Sequence, residues 1–195
     1  MNTPSQPTIY LASKSPRRQE LLTQLAIPFS LVDIDVEETP QADESAFAYV
    51  QRLAIEKSVA GLKKITGDQP VLGSDTIVVL DGRIMEKPRD KADAIEMLLA
   101  LSNRTHQVMT AIALSNNERT LSEVVTTNVT FCQISEPQAS AYWYTGEPAD
   151  KAGGYAIQGL AGKFVKNLEG SYFAVVGLPL LETANLLNEI LAPQQ

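Results

Sequence analysis

The chain has 195 residues, 44% of them hydrophobic and 20% charged, a balance that suits one globular domain spanning 1–195 and excludes a disordered or fibrous chain. Its net charge of −7 argues against a general nucleic-acid binder, which needs a basic surface, but leaves room for one small basic pocket. The longest apolar runs, Val71–Leu72 and Thr76–Leu80, fall far short of the roughly 20 residues of a membrane span. Met1 to Pro7 is polar and proline-bearing, without the charged-then-apolar order of a signal sequence, so a soluble, cytoplasmic protein without membrane attachment is expected. Cys132 is the single cysteine, so no intrachain disulfide forms, and with His106 alone it makes no metal site.

In chain order, Ile9–Ala12 reads as a short buried strand. Ser15 is a good N-cap, and Pro16 follows at the first helical position, where its missing N–H does no harm. That helix is expected to run to about Ala26, with Leu21, Leu22 and Leu25 on one face. Phe29–Val32 reads as a second strand, followed by an acidic loop from Asp33 to Glu44. A helix from about Ser45 to Leu62 carries Phe47, Val50, Leu53 and Ala54 as its apolar stripe. Val71–Leu80 reads as a central strand interrupted by Gly73-Ser74-Asp75-Thr76, and Asp81-Gly82 is a hairpin signal.

Asp90 caps a third helix bearing Ile95, Leu98 and Leu99. Gln107–Leu114 and Val124–Ile134 read as a strand pair that turns near Asn116-Asn117. Ser135-Glu136-Pro137-Gln138 opens a fourth helix with capping-box spacing. A glycine-rich loop from Gly146 to Gly162 leads into strands around Phe164–Val165 and Tyr172–Val176, and Glu182–Leu191 closes the chain as a helix. Strand-like and helix-like stretches thus alternate, which predicts an α/β fold with a mixed sheet flanked by helices.

The strongest chemical signal is Ser13-Lys14-Ser15-Pro16-Arg17-Arg18, between a strand and a helix. A helix N-terminus favours anions, so two arginines in the first turn are adverse by roughly a few tenths of a kcal/mol each unless an anion arrives or they extend into solvent. Serine hydroxyls, Lys14 and bidentate arginines together suit phosphate oxygens. No Gly-x-x-x-x-Gly-Lys-Ser/Thr loop is present.

Asp75, inside an apolar run, either faces solvent or sits buried with compensation, and beside a phosphate pocket it would suit magnesium. Gly73 would permit close approach of a backbone or ligand. Glu37 and Glu38 belong to an acidic stretch with Asp33, Asp35, Asp43 and Glu44 that reads as a solvated face or as the source of one functional carboxylate. Lys57 follows Leu53 by four residues on the apolar stripe, so it either snorkels to the rim or points its ammonium into a pocket. Glu86-Lys87-Pro88-Arg89 reads as a surface turn or a further cation, His106 as structural, and Cys132 as core. Gln158, in the glycine-dense run Gly153-Gly154-Tyr155-Ala156-Ile157-Gln158-Gly159, either reads a base edge with its amide or rides a flexible loop.

Leu11-Ala12-Ser13-Lys14-Ser15-Pro16-Arg17-Arg18, Gly73-Ser74-Asp75-Thr76, Glu86-Lys87-Pro88 and Lys151 to Gly159, in this order, resemble the Maf family of nucleoside triphosphate pyrophosphatases. Gly170-Ser171-Tyr172 and Val176-Gly177-Leu178-Pro179 extend the resemblance, which runs from about Ile9 to Leu191. It implies a mixed twisted sheet with two lobes around a cleft, as in inosine triphosphate pyrophosphatases. It implies hydrolysis between the α and β phosphates with a divalent cation, magnesium or manganese, and a role in removing non-canonical or excess nucleotides. Carried onto this chain, it makes Asp75 the proton acceptor and places Glu38 with Asp75 near the metal. Ser13, Arg17, Arg18, Lys57 and Lys87 gather the phosphates, and Arg17, Thr76 and Gln158 set specificity.

Relatives acting on 7-methyl-GTP have glutamine after the aspartate and glutamate in place of Gln158, so Thr76 and Gln158 point to dTTP and UTP. Lys14 departs from the small residue usual in the family. The expected partner is the nucleotide itself, with neither nucleic acid nor membrane, and a homodimer is an open alternative to the monomer. The competing readings are a non-catalytic nucleotide-binding regulator of cell division and a pyrophosphatase preferring 7-methyl-GTP.

Overall fold

The computed structural model of the chain describes residues 8–192, so the reading of Met1 to Pro7 lies outside the described residues. The elements are β1 (Ile9–Leu11), α1 (Pro16–Gln24), β2 (Phe29–Leu31), α2 (Ala46–Leu62), β3 (Val71–Leu80), β4 (Arg83–Met85) and α3 (Lys91–Leu101). They continue as β5 (Thr105–Ser115), β6 (Thr120–Phe131), α4 (Glu136–Trp143), β7 (Val165–Glu169), α5 (Tyr172–Val176) and α6 (Leu180–Leu191). The seven strands take the order β2-β1-β3-β5-β6-β7, with β4 paired to β3. β1 runs parallel to β2 and β3, whereas β4 pairs antiparallel to β3 and β7 antiparallel to β6, so the sheet is mixed and the α/β expectation holds.

The chain divides into two compact units. The first holds the described residues through Asp75, Ala111–Val124 and those from Gly177 onward; the second holds Thr76–Thr110 and Val125–Val176. β3 passes from one unit into the other between Asp75 and Thr76.

In the first unit, Ser45 caps α2 by accepting the Ala48 N–H at 3.2 Å, and the helix buries Tyr49, Val50, Leu53, Ala54, Lys57, Ser58 and Gly61. Two glycines let α2 lie directly on its neighbours. A Cβ on Gly73 would stand 2.3 Å from the Ala54 carbonyl oxygen and 2.5 Å from the Ser58 nitrogen, and one on Gly61 would stand 2.7 Å from Val71. The close approach at Gly73 is therefore made by α2. Phe47, expected on the apolar stripe, is 50% exposed, because the buried face begins at Tyr49 and follows 49, 50, 53, 54 and 57.

The second unit is built around Phe131, Tyr142, Tyr155 and Phe164, with Leu98 and Leu101 of α3. Aromatic rings meet edge to face, Phe131 with Tyr155 at 4.8 Å and with His106 at 4.9 Å between centroids. Leu99 is 37% exposed, since Ala94, Leu98 and Leu101 already supply the buried face of α3. The Asp81-Gly82 hairpin forms with positive φ at both residues, as a tight turn between twisted strands requires.

Four further expectations are corrected. Tyr172–Val176 is a helix, not a strand. Its aromatic and β-branched residues favour extended chain, but Ser171 overrides them by accepting the Ala174 N–H on its Oγ at 3.2 Å, and the Ser171 N–H is itself anchored on Thr127 Oγ1 at 3.0 Å. Phe164 belongs to a 3-10 turn and only Val165 onward to β7. α1 stops at Gln24 and Ala26 takes positive φ; its Ser15 makes no side-chain cap, its own N–H donating instead to Ser13 Oγ at 3.2 Å.

Candidate active site

Packing of α2 onto Gly73 carries Lys57, one turn beyond Ala54, alongside Asp75, two residues further along the same face of β3. Asp75 is 7% exposed and Lys57 8%, so neither charge is left to water. The Lys57 ammonium sits between two carboxylates, 2.7 Å from Asp75 Oδ1 and 2.6 Å from Glu38 Oε1. Of the two expectations for each residue, the buried, compensated one is realised.

The loop bearing Glu38 is held in place from α2. Tyr49 OH donates to the Glu38 carbonyl at 3.0 Å, and Arg52 Nη2 donates to the Thr39 carbonyl at 3.1 Å. Arg52 also grips Glu44 through Nε and Nη2, each at 2.7 Å, and these bonds bring the Glu44 carboxyl down to about 2. The acidic stretch is thus partly a structured clasp around Arg52. Tyr49 and Arg52 are the positioning groups that sequence reading missed. An arginine eight residues beyond an acid, on a helix whose other face is apolar, is too common a pattern to have singled them out.

On the β1–α1 connection, Ser13 Oγ accepts from Arg18 Nη1 at 3.4 Å as well as from Ser15. Arg18 Nε donates to the Gly177 carbonyl at 2.9 Å, which also accepts from the buried Ser74 hydroxyl at 3.1 Å. Loss of water lowers the Arg18 pKa from the ordinary arginine value, opposed by the fields of Asp75 and Glu38. Arg18, Lys57, Asp75 and Glu38 therefore form one charged group, with Ser13 at its edge. Arg17, half-buried in the first turn of α1, makes no ion pair among the described residues. Lys14 does not join this group: its ammonium pairs with Asp33 at 2.7 Å, and both side chains are largely exposed.

The remaining candidates belong to the second unit. Thr76 is half-buried, and its Oγ1 lies 2.9 Å from Thr110 Oγ1. Lys87 is exposed just beyond β4. Gln158 is exposed, in a turn. That turn is structured rather than loose. Gly153 N–H donates to the Glu86 carbonyl at 3.0 Å, and Gly153 takes φ +66° where a Cβ would meet Val78 at 2.9 Å.

Glu147, which sequence reading missed, clamps the same segment. It accepts from Tyr142 OH at 2.5 Å, from the Leu160 N–H at 2.9 Å and from the Ala161 N–H at 3.3 Å. Burial acts to raise its pKa, but these donors win and hold the carboxyl below its ordinary value. His106 is structural, as expected: it is 2% exposed with Nε2 2.7 Å from Tyr155 OH, and burial pulls it down to about 4. Cys132 is partly buried against the second unit's core.

Glu38 and Asp75 are the pair that could hold a metal. Among the described residues, no group of three or more histidine, cysteine, aspartate or glutamate side chains is disposed to do so. No described helix is long and apolar enough to cross a membrane.

Residues 8–190 match the family described as Maf-like protein. A dTTP/UTP pyrophosphatase of Saccharophagus degradans is 53% identical over 188 residues, covering 95% of this chain and 90% of that relative. A dTTP/UTP pyrophosphatase of Salmonella typhimurium is 57% identical over 181 residues, covering 93% and 92%. A solved structure of a nucleoside-triphosphatase / dITP/XTP pyrophosphatase from Mycobacterium abscessus is similar at 22% identity and a TM-score of 0.43, over 65% of this chain and 75% of that one.

Proposed function

The chain belongs to the Maf-like protein family, and from that membership we propose that it hydrolyses dTTP and UTP to the nucleoside monophosphate and pyrophosphate. The observation that carries the reading is the buried Lys57 ammonium held between Asp75 and Glu38, with Arg18 in their field. Two acids and two cations gathered in one place suit a polyanion that arrives with its own counter-charge.

The two acids fit a divalent cation. Their oxygens already converge on one positive charge at 2.6 and 2.7 Å, and magnesium ordinarily takes only one or two protein carboxylates beside phosphate oxygens and water. When bound there, magnesium or manganese supplies charge neutralisation on the phosphates and a more acidic water. The chain's own residues do the rest. Arg17 and Arg18 bind phosphate oxygens with paired N–H groups, and Ser13 adds a hydroxyl. Lys57 can exchange its carboxylate partners for a phosphate, and Lys87 is a further phosphate contact on this reading. Asp75 orients the attacking water and accepts the proton it loses as the α–β anhydride breaks. Thr76 and Gln158 are neutral hydrogen-bonding groups, suited to a neutral pyrimidine better than to a cationic methylated guanine. A cytoplasmic location belongs to the same reading, since the nucleotide pool is there.

The test is a panel of canonical and modified triphosphates with magnesium, scored for pyrophosphate against orthophosphate. We expect dTTP and UTP to exceed 7-methyl-GTP by about tenfold or more, from hydrogen bonds that a wrong base leaves unmade. Preference for 7-methyl-GTP would overturn the substrate and leave the reaction standing. Tight nucleotide binding with no pyrophosphate would favour a regulator instead.

A further inference from the structure

Ser74 and Asp75 follow one another on β3, so their side chains leave opposite faces of the strand. Asp75 takes the Lys57 ammonium, whereas the fully buried Ser74 hydroxyl donates to the Gly177 carbonyl at 3.1 Å. The same carbonyl accepts from Arg18 Nε at 2.9 Å, so both of its lone pairs are taken. Gly177 is buried and follows α5 at φ +127°, a conformation that costs a glycine little and an L side chain much. Arg18 is tied at a second nitrogen as well, its Nη1 donating to Ser13 Oγ at 3.4 Å. A planar guanidinium bonded at two nitrogens has its plane set before any ligand arrives.

We infer that Gly177 is a positioning residue for phosphate binding, its carbonyl aiming the Arg18 guanidinium at the triphosphate. The inference rests on the pyrophosphatase reading above and deepens it by naming what orients the arginine. An arginine that its ligand must order gives up rotamer freedom on binding and binds more weakly for it. Held on a backbone oxygen, Arg18 makes that loss on folding instead. A carbonyl suits the task because it can only accept, and it carries no full charge to compete with phosphate for the guanidinium. A side chain at position 177 would draw φ away from +127° and turn the carbonyl, and the guanidinium plane with it.

The test is a double-mutant cycle of Gly177→Ala and Arg18→Ala, with KM and kcat for dTTP measured in magnesium. Gly177→Ala should raise KM by about tenfold and change kcat by less than about threefold, since a phosphate contact is misaimed while Asp75 is untouched. In the Arg18→Ala background the same substitution should change KM by less than about twofold. Strain that merely loosened the fold would act in both backgrounds. An equal rise in KM with and without Arg18 therefore overturns the inference, as does no rise in either. Should Gly177→Ala not fold, the wild type decides, through the NMR signal of the Arg18 Nε–H in isotope-labelled protein, assigned by its loss in Arg18→Lys. That proton should be protected from exchange with water in the ligand-free protein and stay protected at saturating pyrophosphate. Rapid exchange without ligand, or loss of protection when pyrophosphate binds, overturns the inference. A wild type that releases no pyrophosphate from dTTP or UTP overturns the substrate reading, while the Nε–H measurement still decides the inference.

Discussion

A lysine on the apolar face of a helix has two ways to keep its charge, and Lys57 takes the costlier one. Its ammonium is withdrawn from water and stabilised by two carboxylates, Asp75 and Glu38. Removing one partner of a buried ion pair typically costs about 3–5 kcal/mol, because the remaining charge stays buried and uncompensated. Lys57→Met should therefore lower the melting temperature of the metal-free protein markedly at neutral pH. Millimolar manganese, a cation for the same two acids, should then restore more of that loss in the variant than it adds to the wild type. Equal manganese shifts in the two proteins would separate the acids from the metal. Arg17 makes the opposite case. It is a cation in the first turn of α1 with no ion pair among the described residues, so Arg17→Ala should leave the folding stability unchanged or raised by roughly a few tenths of a kcal/mol, with no fall in melting temperature, while KM rises. A steep fall in melting temperature would make Arg17 structural.

At the scale of elements, two contacts set the site and each can be probed away from the chemistry. Gly73→Ala puts a Cβ 2.3 Å from a backbone oxygen of α2 that cannot rotate away. The helix must shift and take Lys57 with it, at a cost of about 1–3 kcal/mol; a denaturant midpoint equal to wild type would contradict the packing. Glu147→Gln keeps the volume but loses the charge that gathers Tyr142 OH and two backbone N–H groups under the Gln158 turn. KM for UTP should rise several-fold, roughly, with kcat little changed, because only positioning of a binding group is disturbed.

Periodicity made α2, α3 and β3 legible in the sequence, and the cap residue Asp90 located the start of α3. The same local signals misread α5, whose helical state depends on Ser171 and on Thr127, 44 residues away from it in sequence. The motif residues near Asp75 were legible because their types and spacing recur together. Tyr49, Arg52 and Glu147 were not, since each acts through a partner that only the fold brings close. Lys14, open in the sequence between a phosphate donor and a solvent-facing cation, pairs with Asp33 at the surface, a partner that nothing local to its motif announces.

For the molecule as a whole, pH offers a readout of the second unit. His106 is the only histidine, and burial holds it at about 4 when folded against an ordinary 6.5. The unfolded chain then binds more protons than the native one between those values, so stability falls as pH drops from about 6.5 to about 4, by about 3 kcal/mol at most. Glu44 and Asp93, both lowered to about 2, act below that window, as their stabilising charge is lost only once pH falls beneath the ordinary carboxylate range. Denaturant midpoints measured between pH 4.5 and 7 should therefore show a limb that flattens in His106→Gln; an identical limb in the variant would assign it elsewhere.

The most direct test of the site is Asp75→Asn in the full chain, assayed with dTTP and magnesium for pyrophosphate and, in parallel, for nucleotide binding. The substitution keeps the shape and removes the charge that takes the proton from water, so turnover should fall by about a thousandfold while binding stays measurable. Wild-type turnover in the purified variant would contradict the account, because the carboxylate that shares Lys57 with Glu38 would then have no part in breaking the anhydride.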